Sequence, residues 1–147
     1  MHQYNFTSRT AIVTGGAQGF GLDIAKKFLK FGASKVIIWD IDEEELKKAS
    51  KEVNNSNLFY DVVDISNFES VNDAVNKIIK LSNIDILVNN AGITGSTSEL
   101  WNYDVKEWYK IIAINLNGTF NCCKSVVPNM IKNNYGRIVN VASVAGK

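Results

Sequence analysis

Short apolar runs alternate with amphipathic stretches along the chain, which is the pattern of strands alternating with helices. The apolar runs occupy residues 10–15, 35–40, 57–65, 84–92 and 136–143, and their lengths are typical of buried β-strands. The second run, "KVIIWD", is apolar on both faces, as expected of a strand between two layers of helices. Five strands joined by helices predict an α/β fold with a right-handed, doubly wound parallel sheet.

The segments between these runs have helical periodicity and recognisable helix starts. Residues 20–32 place apolar side chains at the spacing of one helix face. Capping boxes at residues 42–45 and 66–69 begin the second and third helices, and the third is expected to continue to about Leu81. The stretch 105–133 is predicted to form one long helix before the fifth strand.

Composition narrows the functional classes. A chain of 147 residues that is 46% hydrophobic fits a single domain over residues 1–147, and a net charge of +1 gives no field to attract nucleic acid or an acidic membrane. No apolar run approaches the ~18 residues of a membrane span, and the first ten residues contain no apolar signal region. Cys122 and Cys123 are adjacent and are expected to be reduced thiols without metal. We expect a soluble, cytoplasmic protein.

The first strand leads into the glycine-rich turn "TGGAQGFG", residues 14–21. Gly15 and Gly19 allow a sharp turn and a close approach of a ligand to the backbone, and Gly21 allows the next helix to pack near the strand. The start of that helix presents free N–H groups and a positive dipole end, which suit a pyrophosphate. A glycine-rich turn between a strand and a helix predicts a dinucleotide site.

Asp40 ends the second strand, about 20 residues after the glycines. A carboxylate at this place can accept hydrogen bonds from both ribose hydroxyls of an adenosine and repels a 2′-phosphate. The neighbouring positions Ile41 and Gln18 are neutral, so no basic side chain favours NADP. The pattern favours NAD over NADP, the alternative being that Asp40 is only an exposed acid at a strand end.

Five motifs in order resemble the short-chain dehydrogenase/reductase family: "TGGAQGFG", "VDIS", "NNAG", "INLNG" and "GRIVNVAS". The resemblance covers the whole chain and implies a Rossmann-like fold. The stretches "LVNNAGITG" and "GRIVNVASVAGK" are most similar to bacterial members described as 3-oxoacyl-carrier-protein reductase-like. The implied activity is NAD-dependent interconversion of a secondary alcohol and a ketone, possible substrates being 3-oxoacyl thioesters, other ketones, sugars and cyclic diols.

The resemblance also assigns roles to individual residues. Asp64 would accept a hydrogen bond from the adenine amino group beside the Ile65 backbone, or it is only a strand-terminal acid. Asn90, Ala91 and Gly92 would line the cofactor. The alternative for Asn89 and Asn90 is a turn whose side chains bond its own backbone, and both roles can hold together. The full cofactor set is Gly15, Gln18, Gly19, Phe20, Gly21, Asp40, Ile41, Asp64, Ile65, Asn90, Ala91 and Gly92.

Two residues match the family's catalytic positions. Ser143 would hydrogen-bond a substrate carbonyl and polarise it, its alternative role being a cap at the strand end. Asn115 lies inside the predicted long helix, where Asn is a poor helix former. In the family this Asn holds a kinked helix and a water of the proton relay, and the alternative is a buried polar group satisfied locally.

The family's general acid is a tyrosine about a dozen residues beyond the serine, with a lysine one helical turn further on. Only four residues follow Ser143, so we expect the sequence to be truncated after the fifth strand, before both. The alternatives to an active enzyme are a module that binds NAD(H) without turnover and a product that does neither. The exposed fifth strand and the long helix are expected to promote homo-oligomers. Trp101 and Tyr103 either flank a substrate or pack on the core.

Overall fold

The computed structural model describes residues 4–143 and contains one five-stranded sheet. The strands are β1 (Thr10–Thr14), β2 (Lys35–Asp40), β3 (Leu58–Val62), β4 (Ile86–Asn89) and β5 (Arg137–Asn140). Their order is β3-β2-β1-β4-β5, and every neighbouring pair is parallel. The reversal of strand order on the two sides of β1 is the switch point of a doubly wound sheet. The predicted fold class is confirmed.

Helices cover both faces of the sheet. The helices are α1 (Gly19–Lys30), α2 (Glu43–Val53), α3 (Phe68–Ile79), α4 (Val105–Ile111) and α5 (Thr119–Lys132). Apolar side chains of α1 and α2 pack on one face of the central strands, and those of α3 and α5 pack on the other. Successive residues of β1 therefore enter different cores, which explains why the central strands are apolar on both faces.

The cap of α3 differs from the sequence-based expectation. Asn67, and not Ser66, is the N-cap, because its side chain accepts hydrogen bonds from the backbone N–H groups of Glu69 and Ser70. The Ser66 hydroxyl instead donates to Asp64 at 2.6 Å. The Ser66 hydroxyl is thus hydrogen-bonded to Asp64 and does not cap α3.

The predicted single helix over 105–133 is three segments. A seven-residue π-helix, Ile112–Gly118, joins α4 to α5. Short π-helical turns inside α-helices frequently mark functional sites. Here the π-helix contains Asn115, one of the two predicted catalytic residues.

Strand β5 lies at the edge of the sheet with its side chains exposed. Ile138 is 39% exposed and Val139 is 50% exposed. Within residues 4–143 only β4 pairs with it, so its other edge presents unpaired backbone groups. No helix in this part of the chain is long and apolar enough to cross a membrane.

Candidate functional site

The carboxyl ends of the strands surround a cavity of about 330 Å³. Such crevices beyond the strand ends are where ligands bind in open α/β sheets. Most of the predicted cofactor residues line it: Gly15, Gln18, Asp40, Ile41, Asp64, Ile65, Asn90, Ala91 and Gly92. Trp39, Val63, Ile93 and Ile114 also line it and were not singled out in the sequence, because apolar residue types give no signal beyond their place in the core.

The glycine turn adopts a conformation that other residues rarely reach. Gly15 and Gly19 have φ values of 60° and 54°, in the left-handed region that favours glycine. A Cβ on Gly21 would lie 2.1 Å from the Gly15 carbonyl oxygen, so only glycine permits this approach of α1 to the turn. Gly15 and Gly19 thus form the predicted sharp turn and Gly21 allows the predicted close packing of the helix, whereas the approach of a ligand stays a prediction.

The start of α1 is open to an anion. Gln18 is the N-cap residue, but its side chain makes no capping hydrogen bond, and no acidic residue occurs in the first turn. The first N–H groups of a helix have no acceptor within the helix. Gly19 and Phe20 contribute to this turn without lining the cavity, and the Phe20 side chain is 81% exposed.

Asp40 is held in place at the rim of the cavity by backbone donors. Its Oδ2 accepts from the Ala17 N–H at 3.3 Å, across the glycine turn. Its Oδ1 accepts from the N–H groups of Ile41 at 2.8 Å and Asp42 at 3.3 Å. Each carboxylate oxygen has further acceptor capacity, so the side chain is fixed and still able to receive a ligand's hydroxyl groups.

Asp64 is positioned by the turn that follows β3. Its Oδ1 accepts from the Ser66 N–H at 2.9 Å and the Ser66 hydroxyl at 2.6 Å. The same turn is tied to α5, because the Asn121 side chain donates to the Ile65 carbonyl at 2.9 Å. These contacts fit the alternative of a strand-terminal acid near the cap of the following helix, and the adenine-binding role of Asp64 stays a prediction.

Asn90 braces the glycine turn from the neighbouring strand. Its side-chain amide donates to the carbonyl oxygens of Thr14 at 3.0 Å and Gly15 at 3.1 Å. The Thr14 hydroxyl accepts in return from the backbone N–H groups of Asn90 and Ala91, both at 3.0 Å. The predicted turn-bonding role exists, but the bonded backbone is that of β1 and not of the same turn.

Asn115 joins the π-helix to the segment after β4. Its Oδ1 accepts from the Ile93 N–H and its amide donates to the Ile93 carbonyl, both at 2.9 Å. The residue is exposed, in contrast to the buried polar group considered as the alternative. Gly92 faces it, since a Cβ there would lie 3.3 Å from the Asn115 Oδ1.

Ser143 lies three residues beyond β5 and is exposed. It does not line the cavity. Within the neighbouring strands, the Asn89 side chain donates to Asn140 at 2.8 Å, linking β4 to β5. Asn140 was missed in the sequence because a polar residue within a strand has no distinguishing signal.

The segment after β4 is fastened by Glu107 of α4. Its carboxylate accepts from the Ser96 hydroxyl at 2.5 Å and the Ser96 N–H at 3.0 Å, and these hydrogen bonds lower the pKa of Glu107. Partial burial and the nearby Glu107 carboxylate raise the pKa of Tyr103. Trp101 is 82% exposed, so it does not pack on the core.

Comparison with known proteins gives a consistent result. A profile of the family described as short chain dehydrogenase matches residues 9–147. A 2-dehydro-3-deoxy-L-rhamnonate dehydrogenase (NAD(+)) of Sphingomonas sp. (strain SKA58) is 41% identical over 143 residues, covering 97% of this chain and 56% of that protein. A 3-oxoacyl-[acyl-carrier-protein] reductase of Chlamydia muridarum is 40% identical over 143 residues, covering 95% and 57%.

Solved structures agree with the fold and differ in cofactor. An NAD+-bound xylitol dehydrogenase superposes with a TM-score of 0.92 at 32% identity, covering 97% of this chain and 56% of that one. A metagenomic short-chain oxidoreductase in complex with NADP superposes with a TM-score of 0.90 at 29% identity, covering 97% and 65%. The chain thus spans about 56% of the length of the curated relatives it matches.

Proposed function

Because the chain belongs to the short chain dehydrogenase family, we propose that it forms the NAD(H)-binding part of an oxidoreductase that interconverts a secondary alcohol and a ketone. The observation that carries the proposal is the cavity at the strand ends, which gathers the glycine turn, two carboxylates and the segment Asn90–Gly92 in one place. The resemblance found in the sequence is confirmed at the level of the family.

The glycine turn and the start of α1 fit a pyrophosphate. The N-cap Gln18 leaves the first N–H groups of α1 without a side-chain acceptor, and a helix N-terminus of this kind stabilises an anion. Gly15 and Gly21 keep the backbone free of side chains that would fill the space. Asn90 holds the carbonyl groups of the turn, so that the turn is ordered before a ligand arrives.

Asp40 and Asp64 fit the adenosine half of the cofactor. Asp40 would accept hydrogen bonds from both ribose hydroxyls, and Asp64 would accept one from the adenine amino group. No lysine or arginine is among the described residues that line the cavity. A 2′-phosphate would therefore meet two carboxylates and no cation, which supports NAD over NADP, although relatives of both kinds exist.

Ser143 and Asn115 are the residues proposed for the carbonyl end of the site. Bound NADH would supply a hydride to a ketone carbon, and the Ser143 hydroxyl would polarise the carbonyl by donating a hydrogen bond. The resulting alkoxide would take its proton from a general acid, a role that the family gives to a tyrosine beyond the serine. Asn115 would act by position, since its side chain fixes the Ile93 backbone beside Gly92. Gly92 would leave room for the ribose and nicotinamide, as the resemblance implies. A Cβ there would also lie 3.3 Å from the Asn115 Oδ1, so glycine leaves the Asn115 side chain in place.

The substrate class is a further proposal. Similarity to the reductase of Chlamydia muridarum supports a 3-oxoacyl thioester as the substrate. Similarity to the rhamnonate and xylitol dehydrogenases supports a polyhydroxylated substrate instead. The second candidate function is a module that binds NAD(H) without turnover. The expected homo-oligomer and cytoplasmic location stay predictions.

The test is a titration of the 147-residue chain with NADH and NADPH, followed by nucleotide fluorescence. We expect saturable binding of NADH and much weaker binding of NADPH. Asp40→Ala should weaken NADH binding by about tenfold, the effect of losing charge-assisted hydrogen bonds, and should narrow the preference over NADPH. Asp73→Asn is the matched control, since Asp73 is an exposed carboxylate on α3.

Each outcome decides a part of the proposal. Equal binding of the two nucleotides would refute the role of Asp40, and the absence of both would refute the nucleotide site in this chain. Binding of NADH without reduction of acetoacetyl thioesters or simple ketones would favour the module that binds without turnover.

A further inference from the structure

A second cavity lies on the far side of Trp39 from the glycine turn, between the outer strands and the end of α3. Its volume is about 250 Å³, which is below the ~300–1,000 Å³ of sites for drug-sized ligands and suits a molecule with one ring. The apolar part of its lining comes from β2, β3, α3 and the turn just after α3, and it includes Ile37, Phe59, Ile78 and Leu81. The lining of the cavity therefore suits a flat apolar group.

The charged residues that line this cavity are Lys35, Lys77 and Asp61, and their net charge is +1. Lys77 lines it but forms an ion pair with Asp61 at 3.2 Å. Lys35 also lines it, and its ammonium group donates to the Ser82 hydroxyl at 3.3 Å and lies 5.6 Å from the centre of the Phe59 ring. Within residues 4–143 Lys35 has no ion pair with a carboxylate. An anionic group at the rim of the cavity would supply one.

Trp39 connects this cavity to the nucleotide cavity, because it lines both. The side chain is fully buried, and its indole N–H has no acceptor in the part of the chain that the structure describes. No hydrogen bond fixes the indole, so its position depends on the packing around it. The indole N–H is therefore a probe of the wall that the two cavities share.

We propose that the cavity lined by Lys35, Phe59 and Trp39 is a binding site for a small aromatic carboxylate, separate from the nucleotide cavity. The ring would lie among Ile37, Phe59 and Ile78, and the carboxylate would pair with the Lys35 ammonium. The site goes beyond the proposed oxidoreductase function and does not require nucleotide.

The experiment uses the 147-residue chain labelled with ¹⁵N, without nucleotide, titrated with 3-phenylpropionate. Amide signals of Ile37, Phe59 and Ile78 and the indole signal of Trp39 should shift and saturate together. The neutral 3-phenylpropionamide should bind about two- to fivefold more weakly, the factor expected from one partly exposed charge pair. NADH added afterwards should leave the probe bound.

Reversing the charge at Lys35 tests whether this residue recognises the carboxylate of the probe. The expected result is a changed preference between two probes and not only a loss of binding. Lys35→Glu should bind the cation 3-phenylpropylamine better than 3-phenylpropionate, the reverse of the parent chain. Lys51→Glu is the control, since Lys51 is an exposed lysine in the last turn of α2. Thermal melting of each variant establishes that it is folded.

Three results would overturn the proposal. They are shifts that never saturate, equal affinities for the carboxylate and the amide, and an unchanged preference in a folded Lys35→Glu variant. Displacement of the probe by NADH would place it in the nucleotide cavity and would also overturn it. A failure of NADH itself to bind concerns the proposed function alone.

Discussion

Replacing Gly21 by alanine tests whether the close approach of α1 to the glycine turn is required. An ideal Cβ at this position lies 2.1 Å from the Gly15 carbonyl oxygen and 2.7 Å from the Asn90 Nδ2. Both distances are below 3.0 Å, the limit that real Cβ contacts respect. The first neighbour is backbone, so the strain cannot be relieved by rotating a side chain. Either the turn or the helix must move.

The expected magnitude follows from opposing contributions. Inserting a methyl group into a tightly packed region costs about 1–3 kcal/mol. Displacing the Gly15 carbonyl also weakens its hydrogen bond from Asn90, a loss of about 0.5–1.5 kcal/mol. The better helix propensity of alanine returns at most ~1 kcal/mol. The free energy of unfolding should therefore decrease by about 2 kcal/mol, within the spread of these contributions.

Gly19→Ala is the matched control, because Gly19 lies in the same first turn of α1 but its Cβ would have no heavy atom within 4 Å. Its φ of 54° adds only the left-handed strain of about 1–2 kcal/mol. The assay is urea denaturation of both variants followed by far-UV circular dichroism. If Gly21→Ala is as stable as the parent, or more stable than Gly19→Ala, the steric reasoning is refuted.

Two titratable groups give further predictions. Burial raises the pKa of Cys122 from 9.0 to about 12. Iodoacetamide at about pH 8 should therefore modify Cys122 only after the chain is unfolded in urea. Detection of labelled Cys122 in the folded chain by mass spectrometry would contradict this. Because the unfolded thiol ionises first, Cys122 should also lower the free energy of unfolding as the pH rises from 9.0 towards about 12, a decline that Cys122→Ala should reduce. Hydrogen bonds from Ser96 lower the pKa of Glu107 below 4.5, so they should persist above pH 4.5 and be lost as the pH falls through that lowered value. Ser96→Ala should bring the NMR titration of the Glu107 carboxyl back towards 4.5, and an unchanged titration would show that the hydroxyl does not contribute.

Much of the fold could be predicted because its determinants are local. The apolar run of β2 ends at Asp40 in the structure as in the sequence, since burial on both faces leaves no ambiguity about the strand. The glycine turn was assigned correctly because Gly15 and Gly19 adopt backbone angles that few other residues reach. The position of Asp40 beside the glycine turn could be predicted from these two features, because neighbouring parallel strands have their carboxyl ends at the same edge of the sheet.

The remaining differences depend on contacts between distant segments. The π-helix over residues 112–118 has no periodicity of its own. The resemblance implied a kink at Asn115, but the length of the π-helix and the pairing of Asn115 with Ile93 could be read only from the structure. Likewise Ser66 and Asn67 are equally good caps in sequence, and the choice is made by Asp64. The contacts of Trp39 and Asn140 could not be predicted from the sequence, because they depend on which strands lie beside β2 and β5.

The position of β1 at the centre of the sheet has a consequence for folding during synthesis. One edge of β1 pairs with β2, which follows soon after it, but the other edge pairs with Ile86–Asn89. At ~5–20 residues per second, that edge stays open for several seconds after β1 leaves the ribosome. Asp40, whose Oδ2 accepts from the Ala17 N–H, would by then already lie beside the glycine turn. Asn90, which ties its side chain to Thr14 and Gly15, therefore secures that turn from its other side only after β4 has been made.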